Sequence, residues 1–416
     1  MSAGTVMKAS LETHIAPIFA PICGKPITRG AFVSEKIEYK VCRNCVMDTT
    51  VPNIQFDMQG ICHFCNNFKS AQNSQKFKKI NRKHQLATML EKIKVQGRKD
   101  KYDCIIGISG GVDSSYLALK VAEWGLRPLV LHVDTGWNSE LAVKNIEQVC
   151  KSLSFDLVTF VVDWAEMRDL QLAFLRSGVA NQDIPQDHVI FAALYKYAKK
   201  AKIKNVLDGS NYATESVLPE TWGYDAMDSK QLIGIHKQFG TMKLKTFPVL
   251  NFLDFNINFK FFGRMRVHNP LNFIDYNKKG AIKLLERDFG WRYYDGKHFE
   301  SRWTKFFQAY YLPYRFGYDK RKAHLSSLIL SKQITRGEAI ERLKVPLYNE
   351  VDLKPDKIFI SKKLQISPEE FDNLISLPLR HFSEFPNYQL QRQLAIRCFS
   401  LFTDFFDFWK TKKKAP

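Results

Sequence analysis

Residues Ser109-Gly110-Gly111-Val112-Asp113-Ser114-Ser115 follow directly on the apolar run Cys104-Ile105-Ile106-Gly107-Ile108. The order predicts a buried strand, a glycine turn, and a helix whose first turn carries hydroxyls. Two glycines let the backbone approach an anion closely. The free N–H groups of the helix start, with Ser114 and Ser115, can donate to it, and the helix dipole favours its negative charge. Such a turn is a cradle for pyrophosphate. No Lys follows the second glycine, which excludes the kinase-type phosphate loop.

The flanking pattern fixes the fold class. Apolar runs 104–108, 128–133, 157–162 and 203–207 alternate with amphipathic stretches 114–124, 139–151, 165–176 and 188–202. Repeated strand–helix units predict a doubly wound parallel α/β sheet with its ligand at the carboxyl ends of the strands. Asp134 and Asp208 each close an apolar run and belong on that active face. After residue 250 the strand signal fades. Helical patterns at 277–290, 299–312, 319–331, 336–344 and 367–410 are punctuated by Pro313, Pro346, Pro355 and Pro368. The expected organisation is an extension over 1–35, a cysteine module over 36–70, the α/β domain over 71–250 and a helical basic region over 251–416.

Cys42, Cys45, Cys62 and Cys65 form C-x2-C-x16-C-x2-C. Each CxxC knuckle aims two thiolates at one ion, and two knuckles close a tetrahedral zinc site with no open position. The zinc is therefore expected to be structural; a redox pair is the other reading of such cysteines. His63 would be a ligand only by displacing a cysteine. Cys23, Cys104, Cys150 and Cys398 show no pairing, and the cysteine usage fits a reducing, cytoplasmic compartment.

Among the 416 residues, 62 Lys and Arg against 42 Asp and Glu give a net charge of +20, an excess concentrated between residues 241 and 340. Polyanionic partners such as nucleotides, sugar nucleotides, nucleic acid or anionic lipid fit that balance, as does a plain basic surface. No apolar run approaches the roughly 20 residues that span a bilayer. The first 20 residues lack the pattern of a signal peptide.

Four further stretches carry chemistry. Asp134-Thr135-Gly136-Trp137 could hold ribose or adenine, with Trp137 either stacking or packing. Asp208-Gly209-Ser210-Asn211-Tyr212-Ala213-Thr214-Glu215 is a polar loop at a strand end. Gln186-Asp187-His188 opens a helix: Asp187 could simply cap it, and His188 is either a general base or a surface group. Arg302 and Lys305 share a helix face. With Lys320, Arg321 and His324 they could clamp a diphosphate, or they could form solvated basic faces.

The string at 109–115 resembles the PP-loop of ATP pyrophosphatases, which cleave ATP to AMP and pyrophosphate. The cysteine pairs, Asn211-Tyr212-Ala213-Thr214-Glu215-Ser216-Val217-Leu218-Pro219, Lys297-His298-Phe299-Glu300-Ser301-Arg302-Trp303-Thr304-Lys305-Phe306 and Asp319-Lys320-Arg321-Lys322-Ala323-His324 together resemble the N-acetyl sugar amidotransferases of surface-polysaccharide biosynthesis. That resemblance implies conversion of an acetamido group on a nucleotide-activated sugar to an acetamidino group. ATP, Mg2+ and structural Zn2+ are the expected cofactors. Ammonia is expected from a separate glutaminase subunit joined to a cyclase-like barrel subunit. The implied site is Ser109 to Ser115, Asp134, Asp208 and Gly209 for ATP; Asn211, Thr214, Arg302, Lys305, Lys320, Arg321 and His324 for the sugar nucleotide. Asp113 is expected to meet Mg2+ or hold a water. His188, Glu215 and His324 compete as general base, with Arg302 and Lys305 assisting catalysis. Two other readings are a tRNA thiolase, which usually needs cysteines close to its PP-loop, and a zinc-ribbon module without catalysis. Nucleic acid is not the expected partner.

Overall fold

A computed structural model describes residues 38–73, 79–294, 296 and 299–394. The 1–35 extension, Cys23, Lys297, His298, Cys398 and the Lys-rich tail lie outside the described residues. Glu38–Phe385 form one compact unit, and the described residues 386–394 belong to another. In the second, Arg392 N donates to Tyr388 O at 2.9 Å in a helical turn.

Within the first unit, α1 (His63–Asn73) and α2 (Lys79–Gly97) precede the sheet. Its strands are β1 (Cys104–Gly107), β2 (Pro128–Asp134), β3 (Asp156–Val161), β4 (Asn205–Leu207) and β5 (Arg266–His268). They pair in the order β3-β2-β1-β4-β5, and every pairing is parallel. The crossover helices are α3 (Val112–Glu123), α4 (Glu140–Ser152), α5 (Trp164–Ser177), α6 (Ile184–Lys200), the one-turn α7 (Tyr212–Glu215) and α8 (Ser229–Phe239). After β5 come α9 (Lys278–Phe289), α10, α11 (Lys320–Leu330), α12 (Arg336–Lys344), α13 (Glu350–Leu364) and α14 (Pro368–Ser376). Helix α10 runs from Arg302–Phe306 through a π-helical stretch, Phe307–Tyr311, into Leu312–Phe316.

Alternate strand residues feed two cores, as the period-two pleat requires. Ile105, Leu129, Leu131 and Val133 face α5 and α6. Cys104, Ile106, Val130 and Leu207 face the other way, onto Leu117, Val121, Ile146 and Leu285 of α3, α4 and α9. The parallel α/β class and its first four strands match the sequence pattern. The fifth strand does not appear in that pattern, because three residues with a basic start, Arg266-Val267-His268, carry too little alternation to read.

The boundaries expected at 70/71 and 250/251 fall inside the compact unit. Strand β5 extends the sheet past 250. The cysteine module packs Met47 and Val51 against Val217, Trp222 and Ala323. Pro355, expected to break the chain, lies inside α13. The expected long helix over 367–410 is interrupted: α14 ends at Ser376, and a 3-10 turn follows at Phe382–Glu384.

Candidate active site

Chain order reverses between β1 and β4: one side of the sheet grows through β2 and β3, the other through β5. The crevice outside such a reversal is where open α/β sheets bind ligands. Both flanking loops here are glycine-bearing. Gly110 has φ +82°, and a Cβ built on it would lie 2.6 Å from Ala142 O. A Cβ on Gly209 would meet the Asp113 carbonyl carbon at 3.2 Å, so glycine lets the β4 loop close on the start of α3. Gly111 caps α3 in extended conformation and, having no side chain, supplies no cap hydrogen bond. A helix start of this kind favours an anion through its backbone N–H groups and dipole. Ser109 Oγ accepts from Gly111 N at 3.3 Å and lies 3.2 Å from Ser114 Oγ, so the two hydroxyls brace the turn.

Asp113 sits in the first turn of α3. The Tyr276 hydroxyl donates to its Oδ1, and Thr214 Oγ1 lies 3.5 Å from Oδ2. Burial, then the Asp113 charge, push the Tyr276 phenol well above its usual range, so it stays a donor at neutral pH. At the end of β2, Asp134 Oδ1 accepts from Gly136 N at 2.8 Å and Asn138 Nδ2 at 3.1 Å. Trp137 is buried, with ring centroids of Trp164 and Trp303 at 5.2 and 5.4 Å. The packing reading of Trp137 therefore holds, and it offers no face to adenine. Lys363 of α13 reaches this corner, with Nζ 4.8 Å from the Trp164 ring centroid. Burial lowers its pKa, and the Asp134 charge opposes that shift.

The β4 loop contributes a half-buried carboxyl. Asp208 accepts from Ser210 N at 3.2 Å and Ser210 Oγ at 2.9 Å, and burial raises its pKa. Glu215 is close enough for its charge to add to that rise. Asn211 is the N-cap of α7: Oδ1 accepts from Thr214 N at 3.0 Å and Nδ2 donates to Gly209 O at 3.1 Å. Its amide shapes the loop. His188 is fully buried; Nδ1 donates to Ala226 O at 2.8 Å and Nε2 accepts from Leu250 N at 3.0 Å. Burial lowers its pKa to about 4. With both nitrogens held by backbone, His188 supports two loops and has no lone pair for a proton, which corrects the expectation that it could be the base.

Its helix start holds a polar network. Gln186 accepts from Thr135 Oγ1 at 2.9 Å and Ser301 Oγ at 3.3 Å, and donates to Asp183 Oδ1 at 2.9 Å. Thr304 Oγ1 adds a bond to Asp183 at 3.3 Å. Burial, then the Asp187 charge, push the Asp183 carboxyl up to about 8, while Lys320 pulls the other way. Asp183 thus links the β2 end, α10 and the start of α11.

Arg302 and Lys305 do share a face, and that face meets α13. Arg302 donates to Asp356 Oδ1 at 2.6 Å; Lys305 lies 3.2 Å from Asp356 Oδ2 and 3.7 Å from Asp352 Oδ2. The Arg302 guanidinium stacks 3.7 Å from the Phe359 ring centroid. In the other basic turn, Arg321 binds Asp319 and Val345 O, and Lys322 reaches Asp48 of the cysteine module. Lys320 borders Asp183 and lies 5.6 Å from the Phe307 ring centroid. His324 stands on the same helix, α11.

Four buried cysteines, Cys42, Cys45, Cys62 and Cys65, keep their Sγ atoms within 4.8 Å of one another. Three of the separations are 3.6, 3.6 and 3.8 Å. Tetrahedral Zn–S bonds of about 2.3 Å would set sulfurs about 3.8 Å apart, so the cluster fits zinc. His63 Nδ1 accepts from Gln55 N at 3.1 Å, outside the set. Arg336 Nε binds Cys45 O at 3.0 Å, which fastens the module to α12.

Asp113 and the polar loops were readable because each sits beside a glycine-marked strand end. Tyr276, Asp183, Lys363 and Asp356 were not: each arrives from a distant, compositionally ordinary helix or turn.

Residues 300–397 match the model of the "LPS biosynthesis protein WbpG-like, C-terminal domain" family. No curated protein matches. Among solved structures, the NH3-dependent NAD synthetase from Campylobacter jejuni subsp. jejuni, in complex with the nitrate ion, is similar at 16% identity and TM-score 0.25. That match covers 32% of this chain and 58% of the synthetase. A predicted subunit of tRNA methyltransferase from Methanocaldococcus jannaschii is similar at 15% identity and TM-score 0.26, over 44% of this chain and 75% of that one. The chain thus joins a parallel α/β sheet with a glycine-bearing turn at its switch point to a C-terminal region similar to that of an LPS biosynthesis protein.

Proposed function

We propose that this protein is an ATP-dependent, AMP-forming amidotransferase acting on a nucleotide-linked N-acetyl sugar in surface-polysaccharide biosynthesis. One observation carries the reading: the stretch similar to the WbpG-like domain is hydrogen-bonded to the loop beside the cradle. Glu300 O accepts from Ser139 N at 2.7 Å, and Arg302 N donates to Trp137 O at 2.9 Å. A region with polysaccharide-type similarity therefore borders a nucleotide-type crevice.

The chemistry follows from what an amide lacks. Its carbonyl is a weak electrophile, and its oxygen is a poor leaving group. Attack of the acetamido oxygen on the α-phosphorus of ATP forms an O-adenylated imidate and expels pyrophosphate. Ammonia then adds to the imidate carbon, AMP departs with the former amide oxygen, and loss of a proton leaves the amidine. The chain's share is positioning and charge. The start of α3, Ser109 and Ser114 hold the leaving pyrophosphate. Asp134 and Asp208 line the strand ends for the nucleoside. Mg2+ neutralises the phosphates when bound, and Asp113 is the carboxylate of the cradle suited to it. In this reading Lys320 and the α10 turn meet the sugar nucleotide's anionic end, with Arg321 and His324 on α11 and Thr214 on α7 as its further contacts. With His188 removed, Glu215 and His324 stay in the role of base. Ammonia comes in this reading from a glutaminase partner with a barrel subunit, and the reaction is cytoplasmic. Among the described residues no helix is long and apolar enough to cross a membrane.

The test is mass spectrometry of UDP- and CMP-linked N-acetyl sugars after incubation with the protein, ATP, Mg2+ and ammonium chloride. The reading requires a product in which NH replaces the acetamido oxygen. An unchanged sugar, together with sulfur incorporation into tRNA, would move the assignment to a thiolase. Cys104 opens β1, at the end of that strand away from the cradle, which favours the sugar reading.

A further inference from the structure

Residues 291–294, directly after α9, lie against the cradle. Trp291 Nε1 donates to Gly110 O at 2.9 Å, inside the glycine turn itself. Three residues later the Tyr294 hydroxyl stands over the next glycine: a Cβ built on Gly111 would lie 3.4 Å from it and 3.6 Å from Glu300 Oε1. The Tyr294 ring is fixed from both sides, stacked on Tyr293 and tilted against Trp291. Its hydroxyl oxygen is buried and has no hydrogen-bond partner. The Ser115 hydroxyl, in the first turn of α3, is in the same state.

A buried hydroxyl without a partner costs folding free energy, and native proteins rarely keep one without a use. Two of them at one anion cradle have a common explanation in a ligand that carries acceptor oxygens. Burial, then the Glu300 charge, hold the Tyr294 phenol well above its usual range, so it is protonated and able to donate.

We propose that Tyr294 is a phosphate-binding residue: its hydroxyl donates to the diphosphate moiety of ATP, and then of pyrophosphate, held at the Gly110–Gly111 turn. Trp291 and Tyr294 thereby bound the cradle beside its two glycines. This inference rests on the reading of residues 109–115 as a pyrophosphate cradle.

The test is Tyr294→Phe, which keeps the ring and its stacking and removes only the hydroxyl. Calorimetry with inorganic pyrophosphate, ATP and UDP, each with Mg2+, gives the affinities; thermal unfolding without ligand reports the fold. The variant should unfold at the same temperature as the wild type or higher, since it loses an unsatisfied polar atom. Affinity for pyrophosphate and ATP should fall by roughly ten- to a hundredfold, the range for a hydrogen bond to a charged group. UDP affinity should be unchanged. Equal pyrophosphate and ATP affinity in a variant that folds normally overturns this inference alone. A loss confined to UDP also overturns it, by assigning the hydroxyl to the sugar nucleotide. A wild type that binds neither pyrophosphate nor ATP overturns the cradle reading and the inference together.

Discussion

Gly110→Ala should damage stability and nucleotide binding together, and the structure sets the size of the effect. Gly110 has φ +82°, and an added Cβ would lie 2.6 Å from Ala142 O on the backbone of α4. Moving an L-residue into the left-handed region costs about 1–2 kcal/mol. Relieving an overlap with backbone in a packed setting costs about 1–3 kcal/mol more. The expected loss is therefore about 2–5 kcal/mol, the sum of those two costs. Gly317→Ala is the matched control: its φ is +70°, and nothing lies within 4 Å of the added Cβ. It should lose only the backbone cost, about 1–2 kcal/mol. Urea unfolding followed by tryptophan fluorescence measures both, and ATP titration reports the cradle. If Gly110→Ala is no more destabilised than Gly317→Ala, the close approach of the turn to α4 is not part of this fold.

Further consequences follow from the same geometry. Asp113→Asn should abolish pyrophosphate release while leaving circular dichroism and the zinc content unchanged; normal turnover would remove Asp113 from the reaction. Cys42→Ser, or a strong chelator, should lower the unfolding temperature and release one zinc per chain, because a closed four-thiolate site contributes folding free energy directly; metal analysis that finds no zinc in the wild type would contradict this. Asp183 keeps its proton up to about 8 in the folded chain, whereas an unfolded aspartate releases it near pH ~4. Across that window the folded state binds more protons, so stability should fall as pH rises, by at most about 1.4 kcal/mol per pH unit. Asp183→Asn should flatten that slope in pH-dependent unfolding, and an identical slope in both proteins would refute the assignment.

The legible parts of this molecule were those whose signal is local. Cys104–Ile108 and Pro128–Val133 announce buried strands by apolar continuity, and two CxxC pairs announce a metal by spacing alone. The glycines of the cradle were readable because a turn with that backbone needs them. Interactions that depend on tertiary approach left no such trace. Tyr276 meets Asp113 across 163 residues, and Asp356 neutralises Arg302 and Lys305 from a helix that the sequence pattern did not predict. His188 shows the reverse failure: a histidine beside two polar residues at a helix start looks chemical, yet burial turns it into a backbone brace. A charge seen in sequence is only half of an interaction, and the other half decides whether it faces a ligand or a neighbouring helix.

In the proposed reaction this crevice uses ATP to activate the acetamido group of a nucleotide-linked sugar. Pyrophosphate release from ATP, measured with Mg2+ and ammonium across UDP- and CMP-linked N-acetyl sugars, tests it most directly. Release should depend on one of those sugars and disappear in Asp113→Asn. Release that is indifferent to every sugar, or that appears only with tRNA and a sulfur donor, would contradict it.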